Sequence, residues 1–244
     1  MNFKYVKSIH LPEGDAVSIT CGGQTIWTPY DPWIDVFDSI EAGTYATDYA
    51  IGDCIPLDLG SEGVVNMQIA AFDTDDLADG SGKAHITWIS KELLAKSKRW
   101  NPSGGINGDG TYKEGTRTIG GWEKSELRAY LKETVKPLIP ETVRNAIVEI
   151  TKSHTAYDTS AKTFTQTTTV DVWVPSSYDI GSLYTELFPN EESRRKKWIG
   201  SYSYFGWWLR DAYSADRASC IKNSGAIGYY PAAESQYTCL CFCT

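Results

Sequence analysis

The sequence predicts an α+β protein with antiparallel sheets, and three observations support this fold class. Short segments in which polar and apolar residues alternate, as in half-buried strands, occur in both the first and the last third of the chain. Two segments near the middle carry apolar residues at helical spacing. Clusters of glycine, aspartate and serine separate these segments, as expected for turns. With 244 residues, the chain can form one large domain or one domain with a small appendage.

The first predicted element is a β hairpin near the N-terminus. Polar and apolar residues alternate over residues 17–21, the pair Gly22–Gly23 follows, and residues 25–27 can form the return strand. A two-residue turn of this kind needs positive φ at both central positions, which glycine permits. A single hairpin is marginally stable in water, so it should pack on another domain or on another protein. We therefore expect residues 1–32 to form an attachment segment and residues 33–244 to form the main module.

Several short strands separated by turns are predicted after Tyr45. Ile86, Trp88 and Leu93 indicate an apolar face that runs into a short helix, with Ser90 as its N-cap. The glycine-rich segment 101–121 is too polar to be buried, which predicts a long surface loop.

Two helices are predicted in the middle of the chain. The first follows Trp122, and its first turn contains Glu123 and Glu126, whose charges interact favourably with the helix dipole. The second has Pro140 at its first position. The apolar stripes of the two helices are Leu127, Leu131 and Val135, and Val143, Ala146, Ile147 and Ile150.

The rest of the chain returns to strands. The segment 155–175 is predicted to form strands, with a clear alternation over residues 169–174. Further predicted strands lie near residues 206–210, 219–222 and 237–243. Trp207 and Trp208 point to opposite faces of a strand, and we expect Trp208 to lie in the core. Arg210 shares the face of Trp208, so it needs a carboxylate such as Asp211, or a carbonyl, to offset its desolvation.

Five motifs follow one another between Ile51 and Thr244: "ITWISKELL", "GGWEKSELRAYLKETVKPLIP", "TTTVDVWVPSSYDI", "WWLRDAYS" and "CLCFCT". Their order resembles an uncharacterised family of modules found in tail-associated proteins of gut-bacterial phages and in bacterial surface proteins. That family is similar to the C-type lectin fold. The resemblance implies two helices that flank a twisted antiparallel sheet, a variable ligand-binding face in the C-terminal segment, and a role in adhesion rather than a known reaction.

The chain departs from this family in two respects. The terminal motif has "CLC" where arginine and proline more usually precede "FC". The tripeptides EPN, QPD and WND, through which calcium-dependent lectins hold sugar, are absent from the sequence. Calcium-dependent binding is therefore not expected. The start "VSITCGGQTIWTPYD" is similar to short hairpins at the front of phage tail proteins, which implies attachment to other virion proteins.

The predicted ligand surface lies between Tyr213 and Tyr237, where tyrosine alternates with short polar side chains. Tyrosine supplies a large contact area at low entropic cost, serine and asparagine adapt their hydrogen bonds, and a ring can stack on a sugar. The candidate ligand-binding residues are Tyr213, Asp216, Arg217, Asn223, Tyr229, Tyr230, Gln236 and Tyr237. Tyr229 and Tyr230 face opposite ways in a strand, but both can be exposed in a turn. A polar surface without a ligand is the alternative.

The terminal cysteines are the other feature with chemical potential. In a strand, Cys239, Cys241 and Cys243 share one face with neighbours about 6.8 Å apart, too far for an unstrained disulfide. Formylglycine-generating oxidases share the lectin-like fold and use paired cysteines with copper, so an oxidase is one alternative. We predict buried free thiols instead. The acidic segment 73–79 lacks the bidentate acid of a calcium loop, so no metal is predicted. The three histidines are scattered along the sequence, and it contains neither a nucleophile elbow nor a phosphate loop, so no cofactor or catalytic residue is predicted.

Charge and hydropathy restrict the partners. The net charge of −8 argues against nucleic acid, and no window approaches the roughly 18 apolar residues of a membrane helix. We expect a virion-associated adhesion or receptor-binding protein, made in the host cytoplasm and displayed on a phage tail or particle surface. Its N-terminal segment would bind other virion proteins, and its module would bind a host-surface glycan or protein; a homo-oligomer is compatible with this role. A structural virion component that holds neighbouring subunits together is the other alternative.

Overall fold

The structure is a computed structural model that describes residues 10–11, 14–15, 18–21, 24–27, 30–101, 117–158, 160 and 162–244. The chain divides into two compact units, Met1–Tyr45 and Ala46–Thr244. The sequence predicts a boundary after residue 32, whereas the structure groups the helix that follows this position with the N-terminal strands. Helices and antiparallel sheets both occur, which confirms the α+β class. Within the described residues, no helix is both long and apolar enough to cross a membrane.

The N-terminal unit contains two antiparallel strand pairs and a helix. The pairs are β1 (His10–Leu11) with β2 (Gly14–Asp15), and β3 (Ile19–Cys21) with β4 (Gln24–Trp27). The second pair confirms the predicted hairpin, although its turn, Gly22–Gly23, lies outside the described residues. Helix α1 (Pro32–Ala42) begins where the Asp31 carboxylate accepts a hydrogen bond from Trp33 N (3.0 Å). It ends at Gly43, whose φ of 70° suits glycine.

The second unit is built on a five-stranded antiparallel sheet with the strand order β11-β18-β7-β6-β5. The strands are β5 (Cys54–Asp58), β6 (Val64–Phe72), β7 (Ile86–Ser90), β11 (Val172–Trp173) and β18 (Cys241–Cys243). Val65, Met67 and Ile69 occupy alternate positions of β6 and are fully buried. All residues of β7 and β18 are buried, because these strands lie inside a sheet that is covered on both faces.

A three-stranded antiparallel sheet and three strand pairs make up the other named strands in the described part of the second unit. The sheet consists of β14 (Trp207–Ser214), β15 (Arg217–Ile221) and β16 (Ile227–Pro231). The pairs are β9 (Ile150–Tyr157) with β10 (Thr163–Val170), β8 (Lys98–Arg99) with β17 (Ser235–Gln236), and β12 (Lys196–Lys197) with β13 (Tyr204–Phe205). Trp207 and Trp208 are both fully buried, which confirms the core position of Trp208 and indicates that β14 is covered on both faces.

The predicted first helix is present as a chain of helical turns. Its parts are a 3-10 turn (Trp122–Lys124), α3 (Glu126–Tyr130), a π turn (Leu131–Val135) and a second 3-10 turn (Lys136–Leu138). Other helical segments lie elsewhere in the chain: α2 (Tyr45–Asp48), two 3-10 turns (Gly60–Glu62 and Glu192–Arg194) and a π turn (Asp179–Leu183). The Ser125 hydroxyl caps α3 by accepting a hydrogen bond from Arg128 N (3.1 Å). Leu127, Leu131 and Val135 are fully buried, as predicted.

Two helical predictions need correction. Helix α4 (Glu141–Ala146) ends four residues before Ile150, because Ile147 adopts an extended conformation (φ −69°, ψ 126°) and Ile150 begins β9. The helix predicted after Ser90 is wrong. Ser90 is the last residue of β7, and its hydroxyl accepts a hydrogen bond from Leu240 N (3.0 Å) rather than capping a helix. Most of the predicted 101–121 loop lies outside the described residues, which resume at Arg117.

Candidate functional site

Three of the predicted ligand-binding residues, Tyr213, Arg217 and Tyr229, meet on one face of the three-stranded sheet. Tyr229 lies opposite Ser219 in the register of β15 and β16, which places it on the face that also carries Arg217. The rings of Tyr213 and Tyr229 stack, with centroids 3.8 Å apart and planes 15° apart. The Arg217 guanidinium lies 5.2 Å from the Tyr229 ring centroid. We call these three residues the tyrosine cluster.

The tyrosine cluster is accessible, while the other face of its sheet is buried. Tyr213 is 51% exposed and Tyr229 is 38% exposed. Ala218 and Cys220, which point the other way from β15, are fully buried, and this burial raises the pKa of the Cys220 thiol to about 12. The register of β14 against β15 shifts on either side of Ala212, and such an irregularity changes the direction of the side chains that follow it. The sheet therefore presents two aromatic rings from a rigid support.

Contacts to neighbouring segments fix the turn between β14 and β15. Arg117 Nη1 donates to both carboxylate oxygens of Asp216, at 2.9 and 3.0 Å. The Asp216 carbonyl accepts a hydrogen bond from Ala232 N (3.0 Å), and the Tyr157 hydroxyl donates to the Tyr213 carbonyl (2.8 Å). The Asp216 carboxylate is thus engaged by Arg117, so this predicted ligand residue serves to position the turn.

The other predicted residues lie apart from the tyrosine cluster. Tyr230 lies opposite Ala218, so it points away from Tyr229, as expected for neighbouring residues of a strand. Asn223 is exposed in the turn between β15 and β16. Gly225 closes this turn with a φ of 93°, and a Cβ atom there would lie 1.7 Å from the Glu191 carbonyl oxygen, so only glycine fits.

Gln236 and Tyr237 belong to other parts of the second unit. Gln236 lies in β17, opposite Lys98 of β8. The Tyr237 ring stacks on Trp198, with centroids 6.4 Å apart, and tilts against Phe205 at 5.0 Å. The structure therefore separates these two residues from the tyrosine cluster.

Arg210 lies in a buried polar network whose members come from separate parts of the chain. Its guanidinium donates to the Asp179 carboxylate (2.6 Å), the Val174 carbonyl (3.0 Å) and the Ser176 hydroxyl (3.1 Å). The prediction that buried Arg210 needs a carboxylate or carbonyl partner is confirmed. The suggested partner is wrong, because the Asp211 carboxylate points elsewhere and accepts hydrogen bonds from Ser177 N and Oγ (2.6 and 2.7 Å).

The network continues through Lys152, which is not among the predicted site residues. The Lys152 ammonium contacts the Asp75 carboxylate, donates to the Tyr184 hydroxyl (2.7 Å) and lies 3.3 Å from Asp179. All of these charged side chains are at most 3% exposed, and their two positive and two negative charges balance. Burial raises the pKa of Asp179, but Arg210 and Lys152 outweigh this effect and lower it to about 2.

The terminal cysteines are free and fully buried. Cys239, Cys241 and Cys243 have no exposed surface, which confirms the prediction of buried free thiols. The Ser90 hydroxyl donates to Cys239 Sγ (3.5 Å). Burial raises the pKa of Cys239, but a hydrogen bond with Cys241 and the charge of the Lys196 ammonium act against burial and lower it overall. Among the described residues, no group of three or more histidine, cysteine, aspartate or glutamate side chains could hold a metal ion.

A family model described as "Domain of unknown function (DUF6273)" matches residues 87–238. No curated protein and no solved structure matches the chain. The matched region covers more than half of the sequence and includes the complete three-stranded sheet with its tyrosine cluster. The chain therefore belongs to the DUF6273 family.

Proposed function

We propose that this protein is an adhesion or receptor-binding protein and that the tyrosine cluster contacts its ligand. One observation carries the proposal: Tyr213 and Tyr229 form an exposed stacked pair beside Arg217, on a sheet whose opposite face is buried. Exposed tyrosine side chains held in a fixed arrangement beside an arginine are enriched at the centres of recognition surfaces.

The ligand that fits this surface best is a glycan. The exposed ring of Tyr213 offers a flat apolar face, on which the apolar face of a sugar can stack. Arg217 adds planar donors beside the rings, and these can bind sugar hydroxyls or carboxylates. Because the turn is already held by Arg117 and Tyr157, little conformational entropy is lost when a ligand binds. A cell-surface protein is the second ligand class that such a paratope-like surface can accept.

The location on a virion and the C-type-lectin-like fold are further parts of the proposal. The motif order between Ile51 and Thr244 supports a C-type-lectin-like module, and the described antiparallel sheets and helical segments are compatible with it. The resemblance also supports display on a phage tail or particle surface. In that setting, the N-terminal unit, with its β3–β4 hairpin, would bind other virion proteins.

A glycan array and a host-cell binding assay test the proposed site. Tyr213→Ala should weaken binding about 5- to 100-fold, the usual range for an aromatic anchor. Tyr213→Phe keeps the ring and should bind almost normally. Tyr202→Ala is the matched control, because this tyrosine is 95% exposed and lies outside the cluster. Thermal melts should show that Tyr213→Ala loses only about 1 kcal/mol of stability.

The assay also distinguishes the alternatives. Equal binding by Tyr213→Ala and Tyr202→Ala, with both proteins folded, would contradict a ligand role for the cluster. Protection of Tyr213 by a neighbouring virion chain in the assembled particle would instead favour the structural role.

A further inference from the structure

A pocket of about 390 Å³ lies between β8, β17 and α3, and it shares no residue with the tyrosine cluster. Its volume lies within the range of small-molecule sites. The residues that line it are Ser97, Lys98, Arg99, Glu126, Tyr130 and Ser235. Their side chains are polar or charged, apart from the Tyr130 ring, so the pocket suits a hydrophilic ligand.

The walls of the pocket are fixed by backbone and core contacts. Arg99 pairs with Ser235 across the β8–β17 ladder. The indole of Trp208, which is fully buried, donates to the Lys98 carbonyl (2.7 Å). On the other wall, Leu127 N of α3 donates to the Trp100 carbonyl (3.2 Å). The three elements are thereby tied to one another, and the pocket is preformed.

Two cations, Lys98 and Arg99, line this pocket. The Lys98 ammonium lies 4.3 Å from the centroid of the Tyr130 ring, and this contact restricts its position. Within the described part of the chain, neither Lys98 nor Arg99 has a carboxylate at ion-pair distance. Paired cations beside the hydroxyls of Ser97 and Ser235 form a donor set that suits an oxyanion.

Glu126 makes the pocket selective for more than charge. Its carboxyl is partly buried, which raises its pKa, while Arg99 opposes this shift. A carboxylate on the pocket wall accepts hydrogen bonds from ligand hydroxyls, which a small anion without hydroxyl groups cannot donate. The combined donor and acceptor set therefore favours a ligand that carries both an oxyanion and hydroxyl groups.

We propose that this pocket binds a sugar-sized ligand whose carboxylate or phosphate group contacts Lys98 and Arg99 and whose hydroxyl groups contact Glu126. The proposal does not depend on the tyrosine cluster, because the two sites have no residue in common. A negative result for either site therefore does not contradict the proposal for the other.

Titration calorimetry of the full chain with three probes tests the pocket. Glucuronate carries a carboxylate, glucose 6-phosphate carries a phosphate, and glucose carries neither. We expect at least one of the two anionic sugars to bind at least about tenfold tighter than glucose, and the tighter of the two identifies the oxyanion. Lys98→Gln and Arg99→Gln should each weaken that binding about tenfold or more, the usual effect of losing a charged hydrogen bond.

Lys132→Gln is the matched control, since it removes one positive charge from the exposed side of the adjoining helical turn and should leave binding unchanged. Arg99 is exposed, so Arg99→Gln should stay folded even if loss of the Lys98 contact to Tyr130 is disruptive. Three results would overturn the proposal: no binding of either anionic sugar up to about 10 mM, equal binding of glucose, or unchanged binding by folded Arg99→Gln protein.

Discussion

At the scale of single residues, His154 shows how burial decides a charge state. The side chain is 4% exposed, and its Nε2 lies 2.8 Å from Gln166 Oε1, an acceptor. Nε2 therefore carries the proton, and Nδ1 is buried with no hydrogen-bond partner among the described residues. Burial lowers the pKa of His154 to about 4, so the folded protein holds a neutral imidazole at pH values where an unfolded chain would protonate it.

This charge state predicts that mild acid weakens the fold. Between the unfolded pKa of about 6.5 and the folded pKa of about 4, the unfolded state binds more protons, so stability falls as pH falls. From pH 7 to pH 5, urea unfolding should show a loss of about 2 kcal/mol from this residue. His154→Gln should remove most of that loss, whereas His85→Gln, at an exposed position, should retain it. An unchanged pH dependence in His154→Gln would contradict this assignment.

The residues of the candidate site were only partly predictable from sequence. The opposite orientation of Tyr229 and Tyr230 follows from the two-residue period of a strand, and the structure has it. The stacking of Tyr213 on Tyr229 depends on strand register and on the irregularity around Ala212, which no local pattern specifies. Tyr237 lies in the same tyrosine-rich segment as the predicted site. Its stacking on Trp198 depends on the packing of residues far apart in the sequence, so the sequence could not show that Tyr237 lies elsewhere.

At the scale of elements, the buried ionic network joins parts of the chain that share no hydrogen-bonded sheet. Lys152 belongs to β9, Arg210 to β14, Asp179 to a π turn and Asp75 to the segment after β6. A sequence signal for Lys152 existed, because it lies between Ile150 and His154 on the buried face of a strand. Its partners could not be inferred, since they lie 77 and 27 residues away along the chain.

Removing one carboxylate from this network should strongly lower the stability of the fold. Asp179→Asn leaves Arg210 and Lys152 with one carboxylate between them in a region without water access, which should cost about 3 to 5 kcal/mol. Asp76→Asn is the control, because it removes a carboxylate from an exposed pair with Lys83 and should change stability by less than about 1 kcal/mol. Urea unfolding at pH 7 measures both. Similar losses for the two variants would show that the network is not a major source of stability.

Secondary-structure elements were predictable where a local sequence pattern alone determines the structure. The β3–β4 hairpin and the buried stripe of Leu127, Leu131 and Val135 each carry a complete local pattern, and both are present. The prediction of a helix after Ser90 was wrong because a long-range contact, not the local pattern, determines the structure there. A serine before apolar residues is a valid N-cap signal, but here its hydroxyl binds Leu240 N from the other end of the chain.

At the scale of the whole molecule, the order of strands in the central sheet determines which parts of the chain are dispensable. The last strand, β18, lies between β7 and β11, and it is fully buried. The first 45 residues form their own compact unit, and none of their described strands belongs to this sheet. The family match, residues 87–238, likewise falls wholly within the second unit.

Two truncations of very different length test this organisation. Removal of residues 1–45 should leave a protein that unfolds cooperatively, because every strand of the central sheet remains. Removal of only Cys241–Thr244 should prevent folding, because β7 and β11 lose the strand that joins them and the buried ring of Phe242 leaves the core, a change that alone costs about 3 to 5 kcal/mol. Circular dichroism during thermal unfolding measures both proteins. The core would be arranged differently if the protein without residues 1–45 lost its cooperative transition. The same would follow if the protein without Cys241–Thr244 kept a cooperative transition.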